Sequence, residues 1–162
     1  MDRYISDADL FRFNIFLKGP GSDTFYYIDD LPSIDEMFPE NVYYAILFKK
    51  NPGSTIGHWV CLIKFSEDVF EYFDCLGKPP PDAVYEALSQ YGDVTLQQSH
   101  RPLMAPNGII CGKWVMFRIM CLPNTIKQFH SFFSSLIPRK SRLSPDSVVN
   151  FIINIPYAYR KD

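Results

Sequence analysis

Between residues 42 and 76 the chain passes through three mostly apolar runs separated by short polar breaks. The first, Val42-Tyr43-Tyr44-Ala45-Ile46-Leu47-Phe48, is rich in β-forming residues and almost unbroken, the pattern of a strand covered on both faces. Asn51-Pro52-Gly53-Ser54 ends it. His58 to Phe65 forms the second run, and Ser66-Glu67-Asp68 turns the chain into Val69-Phe70-Glu71-Tyr72-Phe73-Asp74, which together predict a hairpin. Pro79-Pro80-Pro81-Asp82 then opens a helix with Val84, Leu88 and Tyr91 on one face, closed by Gly92, and a short strand is expected over 94–96. From Cys111 the periodicity becomes helical. One helix holds Trp114, Val115, Ile119 and Leu122 and stops at Pro123. A second spans Thr125 to Leu136, with Ile126, Phe129 and Phe133 at helical spacing. A third starts at Ser144-Pro145-Asp146, an N-cap, a first-position proline and an acidic first turn, and reaches about Asn154. This order predicts an α+β domain, a central mostly antiparallel sheet flanked by helices.

Composition narrows the class. At 162 residues the chain fits a single domain, 1–162, with a loop-rich cap over 1–40, core strands over 42–76 and a helical part over 111–162. Hydrophobic residues make up 47% and aromatics 16%, enough for a packed core. The 16 basic and 18 acidic residues leave a formal charge of -2, without the basic excess of a nucleic-acid or membrane-surface protein. Met1-Asp2-Arg3-Tyr4 followed by Asp7 and Asp9 is not a secretory leader, and no apolar run is long enough to cross a bilayer. A soluble, non-secreted protein in a reducing compartment is therefore expected, with no membrane partner and with its thiols free. Cys61, Cys75, Cys111 and Cys121 form no CxxC pair and no zinc-type Cys/His spacing, so no metal or cofactor is expected.

A free thiol acts as a nucleophile only as thiolate. Cys111, in Pro106-Asn107-Gly108-Ile109-Ile110-Cys111-Gly112, falls at the start of a helix, where unpaired amides and a partial positive charge favour that form. Gly108 and Gly112 spare side-chain bulk where a substrate backbone must approach, and nearby amides are placed to receive an oxyanion. The hairpin adds a base. With a three-residue loop at 66–68, paired residue numbers sum to 134, so Val60 lies opposite Asp74 and His58 is its diagonal neighbour. Period-two alternation then puts His58 and Asp74 on one face, within reach of a carboxylate–imidazole hydrogen bond. Nucleophile Cys111, base His58 and orienting Asp74 make a triad in the general sense. Cys61 and Cys75 read as core thiols, and Cys121 lies at a helix end of the wrong dipole sign. His130 reads as a helix-surface residue, His100 as a loop residue able to border a cleft, and Lys49-Lys50 as a charged strand end.

At His58-Trp59, Asp74-Cys75-Leu76-Gly77 and Asn107 to Gly112, the chain resembles the adenain-like and ubiquitin-like-protein-specific cysteine proteases, the maturation proteases of adenoviruses, polintons and virophages among them. Tyr26-Tyr27-Ile28-Asp29-Asp30-Leu31-Pro32 is similar to the segment upstream of the histidine in the small members, and the likeness covers roughly residues 25–122. It implies a cysteine endopeptidase with a His58, Asp74, Cys111 triad and a viral or mobile-element capsid-maturation role, cutting after glycine-containing sites. Trp59 would roof a narrow glycine-selective tunnel or, alternatively, pack in the core. Partners would be capsid precursors or ubiquitin-like tails, with a peptide or DNA activator. The location would be the virion or the host cytoplasm or nucleus. A deubiquitinase or SUMO-type deconjugating enzyme, or a catalytically impaired protein-binding relative, are the alternatives. A chymotrypsin-like viral cysteine protease shares the His, Asp, Cys order, but helices after Cys111 oppose its double barrel. One departure from the pattern stands out. The glutamine expected six or seven residues before the cysteine is replaced by Ala105 and Met104, leaving Asn107, Gln98 or backbone amides as oxyanion donors.

Overall fold

The computed structural model describes residue 9 and residues 25–54, 56–106, 108–137 and 141–158. A five-stranded sheet in the order β1-β2-β3-β4-β5 forms the centre. Its strands are β1 Phe25–Tyr27, β2 Tyr44–Lys50, β3 Gly57–Lys64, β4 Val69–Phe73 and β5 Thr95–Gln98. The helices are α1 Ile34–Met37, α2 Asp82–Tyr91, α3 Cys111–Met120, α4 Ile126–Leu136 and α5 Pro145–Ala158. The β2-β3-β4 core is antiparallel, whereas β1 joins β2 and β5 joins β4 in parallel.

Alternation along the apolar strands builds two cores at once. Trp59, Cys61 and Ile63 of β3 face a layer made by α3, α4 and α5, with Trp114, Phe117, Phe129, Phe133 and Val149. Val60 and Leu62 face the opposite layer, where Val84 and Leu88 of α2 pack with Ile34 and Met37 of α1. Both faces of the sheet are covered, which is why these strands read as continuous apolar runs rather than alternating ones. The expected α+β class, with a mostly antiparallel sheet between helices, is the one observed.

The β3-β4 register agrees with the loop-length argument: Cys61 pairs with Phe73, Leu62 with Tyr72 and Lys64 with Phe70, each summing to 134. Several elements depart from expectation. Residues 25–37 fell within the expected cap of loops, yet hold β1, a 3-10 turn and α1. Each is only three or four residues long, too short to show a period, and α1 rests on the Ser33 hydroxyl accepting from the Glu36 amide. The strand expected over 94–96 lies at Thr95–Gln98, displaced by its pairing with β4. The sheet edges are parallel because β1 and β5 reach it through crossovers rather than tight turns. Finally, α5 continues to Ala158, past Pro156; so near a helix end, a proline forfeits little of the hydrogen-bond ladder.

Helix α3 is buried from Cys111 through Ile119, hence central rather than amphipathic. It contains two charged residues, each with a partner. Lys113 Nζ donates to Asn150 Oδ1 of α5. Arg118 forms a two-pronged pair with Glu71 of β4, at 2.9 and 2.8 Å, with both side chains fully buried. Glu71 lies on the same strand face as Phe73, turned towards α3, so alternation along β4 delivers the carboxylate to Arg118. The α3 chain leaves through a cis Leu122–Pro123 peptide into α4, which a Thr125/Gln128 capping box starts.

Candidate active site

Three chain segments converge at one end of β3. After β4, Asp74 begins a tight turn in which its Oδ1 accepts from the Leu76 amide at 2.8 Å, and the Gly77 amide donates to the Asp74 carbonyl at 2.9 Å. Gly77 sits at φ +69, and a Cβ there would come within 2.9 Å of the backbone of His100, Arg101 and Pro102. Only glycine suits both the left-handed backbone and that close approach. The same Asp74 Oδ1 lies 2.7 Å from His58 Nε2, with the carboxylate 4% and the imidazole 20% exposed. Cys111, which starts α3, lies close enough to His58 to raise its pKa together with Asp74, and Nε2 is the ring nitrogen engaged by Asp74. The Trp59 amide donates to Cys111 Sγ at 3.5 Å. All three side chains line one cavity of about 580 Å³.

Electrostatics follow from this packing. Burial pushes the His58 imidazole towards a lower pKa, but the hydrogen bonds and charges of Asp74 and Cys111 outweigh it and hold the group at about 9. The imidazolium is thus the neutral-pH form, placing a positive charge beside the sulfur. The other three thiols are pushed up by burial, Cys61 and Cys75 strongly and Cys121 less so. Raised above its ordinary 6.5, His58 contributes stability that is complete below about pH 6.5 and is lost as pH rises through about 9. Urea unfolding at pH 6 and pH 10 should therefore show His58→Ala lacking about 3 kcal/mol of the wild-type loss of stability. Equal losses in both proteins would contradict the assigned environment.

The structure thus brings His58, Asp74 and Cys111 together. Trp59 is buried, its indole 4.5 Å from the Phe48 ring and 5.1 Å from that of Phe25, and it does not line the cavity. Gln98 ends β5 beside Tyr72; its Oε1 is buried without a hydrogen-bond partner among the described residues, and it too is absent from the cavity wall. Asn107 lies outside the described residues. Gly108 lines the cavity, as expected of a position that spares bulk for a substrate, and a Cβ there would also meet Met104 Cγ at 2.6 Å, so its absence makes room for a core methionine as well. Met104 and Ala105, where a glutamine was expected, donate their amides to the Cys75 carbonyl (3.0 Å) and to Asp146 Oδ2 (3.3 Å). His130 is not a bare surface residue, since Ser99 Oγ lies 2.7 Å from its Nε2, and burial with the charges of Arg101 and Arg118 lowers its pKa.

Two long-range contacts that no local pattern announces brace the segments around the site. Asp146 accepts from the Trp114 indole at 2.8 Å as well as from Ala105, tying α5 to α3 and to the loop leading into Cys111. Glu71–Arg118 ties β4 to α3. A charged residue inside an otherwise apolar strand and another inside an apolar helix were the available signal. His58, Asp74 and Cys75 each place one donor atom within 4.8 Å of the others, spacing compatible with a cation. However, the buried Cys75 thiol is held protonated, and the other two bond to each other.

Against solved structures the chain aligns with the ASFV pS273R protease. Its selenomethionine crystal structure matches with a TM-score of 0.53 and 13% identity, over 91% of this chain and 66% of that one. A second crystal structure of the same protease gives 0.53 and 15%, over 90% and 62%. This chain has the fold of that protease. It spans less than two thirds of the protease's length, and at such identity the likeness is one of fold. No protein-family model matches the chain, and no curated protein matches it. No helix among the described residues is long and apolar enough to cross a membrane.

Proposed function

We propose that the chain is a cysteine peptidase in which Cys111 is the nucleophile, His58 the acid–base and Asp74 the orienting carboxylate. The observation that carries this reading is the His58 Nε2–Asp74 Oδ1 contact of 2.7 Å, with Cys111 on the same cavity wall and its Sγ accepting from the neighbouring Trp59 amide. Cys111 Sγ, as thiolate beside the imidazolium, attacks the scissile carbonyl. The His58 proton passes to the departing amine as the C–N bond breaks, leaving an acyl-thioester. Neutral His58 then takes a proton from water, hydroxide attacks the thioester, and the C–S bond breaks to release the acid and return the thiolate–imidazolium pair. Asp74 keeps one ring edge fixed through both steps. With the Met104 and Ala105 amides taken by the Cys75 carbonyl and the Asp146 carboxylate, first-turn amides at Cys111 and Gly112 are the donors for the oxyanion.

The shared fold with the pS273R protease supports a protein substrate, and the resemblance of the His-Trp, Asp-Cys-Leu-Gly and Cys-Gly segments supports cleavage after glycine, in viral or mobile-element precursor maturation. Hydrolysis of a fluorogenic peptide ending in Gly-Gly tests this through its pH profile. Because His58 must be protonated to release the amine, kcat/KM should fall above about pH 9, whereas alkylation of the thiol by iodoacetamide should not. Hydrolysis that persists in Cys111→Ala, or that keeps rising to pH 11, would remove the proposed roles.

A further inference from the structure

The charges lining the cleft are unlike those of the whole chain. Asp and Glu outnumber Lys and Arg by 18 to 16, yet among the described residues Asp74 is the one acidic residue on the cavity wall. Its Oδ1 already accepts from His58 and from the Leu76 amide. Lys49 and Lys78 line the same cavity, both exposed and neither in an ion pair among the described residues. Lys49 is the cross-strand partner of His58. Lys78 follows the Asp74–Gly77 turn, so one cation comes from the β2 side and the other from the segment after β4. Next to Lys78 the wall is Pro79-Pro80-Pro81, which has no N–H to offer a ligand. On that wall the prolines can only accept hydrogen bonds, so the Lys78 ammonium is the group there that can pair with an anion.

A peptide filling this cleft displaces water from both ammonium groups. If it brings no anion, two cations are left partly desolvated and unpaired; a carboxylate in reach of them reverses that cost. We propose that Lys49 and Lys78 form an anion subsite that selects peptides with an aspartate or glutamate side chain beside the scissile bond. Turnover of such peptides rests on the peptidase reading above, whereas their binding does not.

Cys111→Ala, which holds a peptide without cutting it, separates the two. Fluorescein-labelled, C-terminally amidated peptides containing Gly-Gly, with Glu placed at each flanking position in turn, are compared with their Gln counterparts by anisotropy. At one position Glu should bind about threefold to tenfold tighter than Gln at low ionic strength, the range expected for one or two exposed ion pairs. The preference should shrink with added salt. Adding Lys49→Glu and Lys78→Glu should abolish it and favour a lysine-containing peptide instead; both positions are exposed, so folding is not at stake. Equal affinities at every position, a preference that survives the double charge reversal, or no measurable binding by any peptide would overturn the proposal. So would a preference that appears only with a free C-terminal carboxylate, which would assign the subsite to the chain end. If glutamate is preferred while the wild-type protein cuts none of the peptides, the subsite stands and the peptidase reading falls.

Discussion

Replacing His58 with alanine should lower kcat/KM for peptide hydrolysis by at least about a thousandfold, because one imidazole serves both proton transfers. In the proposed mechanism it supplies the charge beside Cys111 Sγ before attack and the proton for the leaving amine after it. Asp74→Asn should cost less. The carboxamide oxygen it introduces can still accept from the Leu76 amide, so the turn survives, but the negative charge that helps hold His58 near pKa 9 is gone. The alkaline limb of the pH profile should then move to lower pH, and the share of stability that His58 gains from Asp74 should be lost with it. Comparing the profiles of wild type, Asp74→Asn and His58→Ala by stopped-time peptide assays checks both effects. A His58→Ala protein with near wild-type kcat/KM would contradict the assignment of the base.

The second large effect concerns stability. Glu71→Gln should destabilise the fold by about 3–5 kcal/mol, since it leaves the Arg118 guanidinium fully buried against a neutral partner. Arg118 has little else nearby to rely on. One Nη2 contact reaches the Asn124 carbonyl at 2.6 Å, its face lies 5.0 Å from the Phe129 ring, and Nη1 has no partner among the described residues. The double variant Glu71→Leu/Arg118→Met should recover most of the loss, because an apolar pair of similar volume suits the same core. Denaturant unfolding of the single and double variants measures this, with coupling read from the cycle. The pair joins the strand that delivers Asp74 to the helix that delivers Cys111. The double variant, refolded and stable, should therefore show whether the ion pair also sets the distance between β4 and α3, through kcat.

Local chemistry made much of this site legible before any fold was known. The polar trio at 66–68 sets the loop length, loop length sets the register, and register puts His58 and Asp74 on one face. Cys111 begins α3 because Pro106, Gly108 and the apolar run after it mark a helix start, and Pro123 marks its stop. What could not be read depends on contacts between distant segments. Glu71 and Arg118 are 47 residues apart, and nothing local says that they meet. The join between Asp146 and Ala105 spans 41 residues. β1 and β5 are strands by virtue of their neighbours, being only three and four residues long. Lys49 looked like an ordinary strand end until the β2-β3 register set it across from His58. Gln98 shows the converse: its chemistry suited an oxyanion donor, but β5 pairs it with Tyr72, and of the two only Tyr72 lines the cavity.

The proposal that Cys111 is activated by His58 is tested most directly by covalent capture. A Gly-Gly peptide vinyl sulfone is incubated at pH 7 with the wild-type protein and with His58→Ala, and adducts are followed by intact mass and peptide mapping. The expected result is a single adduct on Cys111 in wild type, formed at least about a hundredfold faster than in His58→Ala, with Cys61, Cys75 and Cys121 unmodified. Equal rates in the two proteins, an adduct on another cysteine, or no adduct at all would contradict the account.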